Sequence, residues 1–246
     1  MPLWPACVQV VDQQWKDKFI HAYIPLAGVW KGTASLVHLM ASGDNQGIFT
    51  LLPVWLRSEQ RSFPASAFLL PPPSPNTWSP TDYFIVSPKG NFSAYNYEAL
   101  FKSLNWAQGY DIYKTVSKLL VDLPAPQVPI YCFYGTGLLT PVQFVYTDDY
   151  PDYFDHVKFG DGDGTVSVRS SRACLQWKSK QTQPFLHREF PSVVHITFER
   201  DPSVMEAIRE VVFMHNGTLT LWNIYISLDG YGKDWAHTHE AVLVGV

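Results

Sequence analysis

The sequence predicts an α/β fold, and three observations predict it. Short β-branched and aromatic runs recur at residues 19–26, 130–134 and 185–190, each bounded by turn residues, as buried strands are. Segments with helical spacing alternate with them. Leu36, Val37, Leu39 and Met40 mark a helix over residues 33–41, and Val204, Ala207, Ile208, Val211 and Val212 form one apolar face after residue 201. The composition, 46% hydrophobic and 16% charged over 246 residues, supports a packed core in one sizeable domain or two small ones.

The most informative stretch is 128–195. It reads VPIYCFYGTG, then FGDGDGTVSVRS, then FLHREFPSVVHITF. Residues 130–134 form a strand ended by Gly135-Thr136-Gly137. Residues 159–166 are so rich in Gly and Asp that a tight loop is expected there, not a strand. His195 follows the strand at 185–190 in a loop, ahead of a helix that starts at Asp201-Pro202. Strand, acidic loop, strand, histidine loop, helix is the order in which an α/β-hydrolase delivers the last two members of a Ser–Asp–His triad. That chemistry needs an imidazole to carry the proton and a carboxylate to hold its tautomer. Asp163 and His195 are the candidates.

Blander readings compete. Asp-Gly-Asp-Gly is often a plain turn, and a lone His beside Val-Val is commonly a packed or surface residue. A calcium loop starting at Asp161 would want an oxygen ligand, a Gly and a distant Glu where Thr165, Val166 and Arg172 stand, so that reading fails. The order of the two candidate residues between strands favours the pair.

Several strings carry a resemblance. YCFYGTG, FGDGDGTV, the Cys-x-x-Trp of Cys174 and Trp177, and His195 followed by an apolar residue resemble the lecithin:cholesterol acyltransferase family, within it the lysosomal (group XV) phospholipase A2 branch. QQWKDKFIHAYIPLAG, ASGDN and WSPTDYF extend the likeness upstream, so that it covers roughly residues 13–213. The resemblance implies the C-terminal part of an α/β-hydrolase fold with an inserted cap subdomain. It implies that Asp163 and His195 are the triad carboxylate and imidazole, and that Cys132 and Cys174 form a disulfide, leaving Cys7 over. It implies acyl transfer from a glycerophospholipid ester to water or an alcohol, with no cofactor. The partners would be a phospholipid or membrane surface and a lipophilic alcohol acceptor. The parent family is lysosomal or extracellular.

The expected organisation has four parts. Residues 13–41 are a partial hydrolase core, 42–127 the cap, 128–213 the core segment with Asp163 and His195, and 214–246 a tail without an assigned role. Within the first part the family has a Gly-Ala-Pro-Trp-Gly-Gly string. Here Val29 stands for Pro and Lys31 for Gly, so the turn is expected to differ wherever it needs a positive φ. In the second part Pro71, Pro72, Pro73 and Pro75 exclude helix and central strand. Residues 83–86 suit a short strand, and 95–104 has helical spacing. Asn91 and Asn216 head glycosylation acceptor patterns. His237 and His239 lack a third ligand and read as solvated, so no metal site is expected.

A net charge of −4 without a basic cluster argues against a nucleic-acid partner. Nine Trp, thirteen Tyr and fifteen Phe suit core packing and a lipid-facing surface equally. No apolar run approaches the ~20 residues of a membrane span. The first residues lack a basic n-region, so no signal peptide is expected, whereas a disulfide wants an oxidising compartment. A missing N-terminus would reconcile the two. No Gly-x-Ser-x-Gly elbow exists in the sequence; Ser35, Ser42 and Ser66 lack the flanking glycines. The family carries its elbow just upstream of the strand at 19–26, so the nucleophile Ser is expected to be cut away, that strand to show an open edge, and the chain to be inactive. The alternative is a non-catalytic lipid-binding or inert fragment.

Overall fold

The computed structural model describes residues 10–121, 123–213, 224–226 and 241–245. In chain order the elements begin with α1 (Gln13–Phe19), β1 (Ile20–Pro25), α2 (Ala34–Ser42), α3 (Pro53–Ser62), α4 (Pro64–Phe68), β2 (Ile85–Ser87) and β3 (Gly90–Phe92). Then follow α5 (Tyr97–Ser103), α6 (Gln108–Val121), β4 (Ile130–Thr136), β5 (Leu138–Val145), β6 (His156–Gly162) and α7 (Val168–Ser171). A 3-10 helix (Arg172–Ser179), β7 (Phe185–Pro191), a second 3-10 helix (His195–Arg200), α8 (Pro202–Phe213), β8 (Ile224–Ile226) and β9 (Ala241–Gly245) complete the series. The strands and helices expected at 19–26, 33–41, 95–104, 130–134, 185–190 and after 201 all exist, with ends shifted by a residue or two.

The main sheet has the order β7-β4-β1-β9-β8, and every neighbouring pair is parallel. All seven residues of β4 are buried. A parallel sheet covered on both faces asks for such an unbroken apolar run. Alternation along β4 sorts its side chains to two sides. Tyr131 and Phe133 join Ile24, Leu26 and Phe190 under α8, whose Val204, Ile208 and Val211 face them. Ile130, Cys132 and Tyr134 point the other way, against Cys174 and Trp177.

The second sheet has the order β3-β2-β5-β6. β2 pairs with β3 antiparallel and with β5 parallel, and β5 pairs with β6 antiparallel. It therefore draws two strands from each side of residue 127. Ile85, Phe92 and Phe144 of this sheet, with Phe84 just before β2, pack with Val37 and Met40 of α2 in one cluster. The hairpin of β5 and β6 leaves the end of β4 and returns to it.

Three expectations are corrected. Residues 159–162 are not loop: they complete β6, with Leu139 opposite Asp161 and Thr140 opposite Gly160. Pairing with β5 overrides their weak strand propensity. The loop is only 163–166. The edge of β1 is not open either. β9 runs along it from Ile20↔Ala241 to Pro25↔Gly245, and β8 lies beyond. Residues 224–226 and 241–245 of the expected tail thus belong to the main sheet. Lys31, finally, needs no positive φ. In that turn the left-handed residues are Ala27 at 49° and Gly32 at 70°. Gly32 is the position without room, since a Cβ there would lie 2.4 Å from the Pro71 nitrogen. Cys7, Asn216, His237 and His239 lie outside the described residues. Among the described residues no helix is long and apolar enough to cross a membrane.

Candidate functional site

Asp163 follows β6 directly, and His195 follows β7 by four residues. Both therefore emerge at the carboxyl ends of neighbouring parts of the fold, beside the end of β4. Gly135 of β4 makes that convergence possible. A Cβ at Gly135 would sit 2.7 Å from Asp163 Cβ and 2.7 Å from the Val193 carbonyl oxygen. Any larger residue would push the two loops apart.

Asp163 is fully buried. An unpaired carboxylate there would be costly. Its two oxygens take three donors instead. Oδ1 accepts the Thr165 N–H at 3.0 Å and the Val166 N–H at 2.7 Å, and Oδ2 lies 2.8 Å from His195 Nδ1. The main chain repeats the link, since the His195 N–H donates to the Asp163 carbonyl at 2.9 Å. An ionised carboxylate only accepts, so the proton of a neutral imidazole belongs on Nδ1. Nε2 is then the basic nitrogen, and among the described residues it has no hydrogen-bond partner. The His195 side chain is 20% exposed. Val194 and Ile196, at 45% and 80%, surround it with apolar surface. Such a pair can take a proton from a hydroxyl and return it to a leaving group.

The surroundings fix this arrangement. Thr33 donates its hydroxyl to the Thr165 carbonyl at 2.7 Å, and Ser170 accepts the Lys31 N–H at 2.9 Å. The turn after β1 is thereby tied to the Asp163 loop. Asp161 accepts the Gly137 N–H at 2.6 Å, so its carboxylate serves the turn between β4 and β5. Cys132 and Cys174 form a disulfide, with Cα atoms 6.7 Å apart across 42 residues. Trp177 is buried beside it and donates to the Leu123 carbonyl at 3.1 Å. Tyr134, pushed up to about 12 mainly by burial, donates to Glu189 at 2.9 Å. Arg172 holds the same carboxylate from outside at 2.7 Å. Thr33 acts on the loop across 132 residues, and no local motif announces it.

The family model for lecithin:cholesterol acyltransferase matches residues 6–123 and 102–198. The chain belongs to the lecithin:cholesterol acyltransferase family. It is 34% identical over 205 residues to the Lysosomal phospholipase A and acyltransferase of Homo sapiens, covering 83% of this chain and 49% of that protein. It is 39% identical over 174 residues to the Phosphatidylcholine-sterol acyltransferase of Mus musculus, covering 70% and 39%. The Gallus gallus protein of the same name is 36% identical over 186 residues, covering 75% and 44%. The chain thus spans about half the length, or less, of the curated relatives it matches. The turn at residues 27–32 carries Val29, Trp30, Lys31 and Gly32. Lys31 offers its carbonyl to the Trp78 indole N–H at 2.6 Å, so the backbone of the turn is engaged while the substituted side chain is buried.

Proposed function

We propose that this chain carries the acid–base half of a Ser–Asp–His acyl-transfer site for glycerophospholipid esters. The observation that carries the reading is the 2.8 Å contact of a fully buried Asp163 carboxylate with Nδ1 of His195. In the reaction a serine hydroxyl attacks the ester carbonyl and gives its proton to Nε2. The lysophospholipid oxygen leaves with that proton. Water or a lipophilic alcohol then attacks the acyl-serine through the same nitrogen, and a fatty acid or a new ester departs. Asp163 holds the tautomer and offsets the imidazolium charge. The reading asks for no metal or cofactor.

Residues 42–127 are the cap in this reading, sharing a sheet with the hairpin of β5 and β6. Phe49 at 95% and Trp55 at 63% exposure support a lipid-facing surface there. Asn91 is exposed, which suits a glycosylation acceptor. The disulfide suits an oxidising compartment, lysosomal or extracellular.

The sequence contains no Gly-x-Ser-x-Gly elbow. Loss of an activated serine costs on the order of 10⁶ in turnover, and loss of an oxyanion donor a further ~10²–10³. These residues by themselves therefore turn over no phospholipid. The same missing elbow favours the second reading, a non-catalytic lipid-binding or inert fragment. Liposome flotation with and without the chain separates lipid binding from inertness. For the site itself, the transcript upstream of Met1 is read for a strand and elbow, and the longest encoded chain is assayed on liposomes with a primary alcohol. Asp163→Asn should lower turnover by about 10⁴ and His195→Gln by more. Variants within tenfold of the parent would overturn the assignment.

A further inference from the structure

We propose that Thr140 is a positioning residue for the Asp163–His195 pair, acting through the backbone of Gly164; the inference rests on the acid–base reading of that pair. Thr140 lies on β5 and is fully buried. Its hydroxyl donates to the Leu138 carbonyl at 3.0 Å and accepts the Gly164 N–H at 2.9 Å. Room for that oxygen exists because residue 162 is glycine, where a Cβ would lie 2.5 Å from Oγ1. Gly164 follows Asp163 directly and has a left-handed φ of 91°.

Three consecutive amides are thereby assigned. That of Gly164 goes to Thr140, and those of Thr165 and Val166 go to Asp163 Oδ1. The first bond fixes the plane in which the next two amides turn back on the carboxylate. On the far side the Thr33 hydroxyl holds the Thr165 carbonyl at 2.7 Å. Remove the Thr140 hydroxyl and the Gly164 N–H has no partner at its present position. The loop must then rotate to find one, because a desolvated donor is not left unpaired. The two amides on Oδ1 move with it, and Oδ2 loses its aim at Nδ1. Thr140 touches neither imidazole nor substrate, so its effect appears in the geometry of the pair.

The test reads that geometry directly. The probe is the low-field Nδ1 proton of His195 in the purified ¹⁵N-labelled chain, assigned by its loss in His195→Gln. Thr140→Val keeps the side chain's shape and deletes the hydroxyl. It should lose the resonance or speed its exchange with water at least tenfold, with an unchanged circular dichroism spectrum. Thr140→Ser should keep the parent resonance, and Thr140→Ala should not. Serine and alanine differ by the hydroxyl alone, so this comparison stands if the valine variant does not fold. A parent-like resonance in the valine or alanine variant overturns the role of Thr140 and leaves the acid–base reading intact. Absence of the resonance from the parent chain overturns both.

Discussion

Asp163 and His195 are joined twice, by Oδ2 and Nδ1 at 2.8 Å and by carbonyl and amide at 2.9 Å. The backbone link sets the distance between the two residues, and the side-chain link sets the tautomer. A substitution can therefore break the second without breaking the first.

Asp163→Asn is the cleanest such change. Asparagine has one acceptor oxygen for the two amides on Oδ1, and its NH₂ group faces Nδ1 as a donor. The imidazole must answer with an Nδ1 lone pair, which moves its proton to Nε2 and removes the base. Stability should fall by about 1–3 kcal/mol. For a chain of this size that lowers the melting temperature by roughly 2–12 °C, measured by calorimetry.

His38 gives stability a pH dependence. Burial pushes its imidazole down to about 4, although Asp44 pulls it upward. Nδ1 lies 2.8 Å from the Tyr146 hydroxyl, and the ring stacks on Phe144 at 4.3 Å. The folded value lies below the ordinary 6.5, so the unfolded chain binds more protons between the two. The contribution is whole above pH 6.5 and is lost as pH falls to about 4, at most roughly 3 kcal/mol. His38→Gln should flatten the fall of melting temperature over that window. An unchanged slope would assign the acid sensitivity elsewhere.

Asp82 acts at lower pH. Arg169 grips its carboxylate with both terminal nitrogens, at 3.0 and 2.8 Å, and holds it down to about 2. The guanidinium also lies 4.6 Å from the Trp78 ring centroid. The contribution is whole above the ordinary carboxylate value of 3.8 and is lost as pH falls toward 2. Both side chains are partly exposed, so the effect is small. Arg169→Lys should lower the urea midpoint modestly at pH 7, and by less in an Asp82→Asn background, where only the contacts with the Trp78 ring and the Thr77 carbonyl are left to lose.

The disulfide closes a 42-residue loop between β4 and the 3-10 helix after α7. Cys132→Ala with Cys174→Ala should cost about 3–4 kcal/mol. A urea titration of the double variant measures it.

Parts of this fold were legible in the sequence, and the reasons differ by residue. β4 was legible because Ile130, Tyr131, Cys132, Phe133 and Tyr134 are buried on two faces, and a continuous apolar run says so. The approach of Asp163 to His195 was legible from their order between strands and from motif strings. The disulfide came from resemblance alone. β6 was missed because Gly160, Asp161 and Gly162 are poor strand formers that pairing with β5 holds in place. β9 was missed because five residues at 241–245 gain their meaning only from pairing with β1, more than 200 positions away. Thr33 and Thr140 were missed for the same reason. Their partners lie 132 and 24 residues off, and nothing local marks a hydroxyl that acts at such range.

If β9 covers β1, removing residues 214–246 should uncover that edge. Light scattering should then show concentration-dependent self-association of the shortened chain, absent from the parent. Equal behaviour of the two would show that the edge needs no cover.

The central claim is that Asp163 fixes the proton of His195 on Nδ1 and leaves Nε2 as the base. Long-range ¹H–¹⁵N correlation of the His195 ring reads that tautomer directly, in buffer alkaline enough for a neutral imidazole. The account predicts a protonated Nδ1 and an unprotonated Nε2 in the parent, inverted in Asp163→Asn. A protonated Nε2 in the parent, or the same tautomer in both proteins, would contradict it.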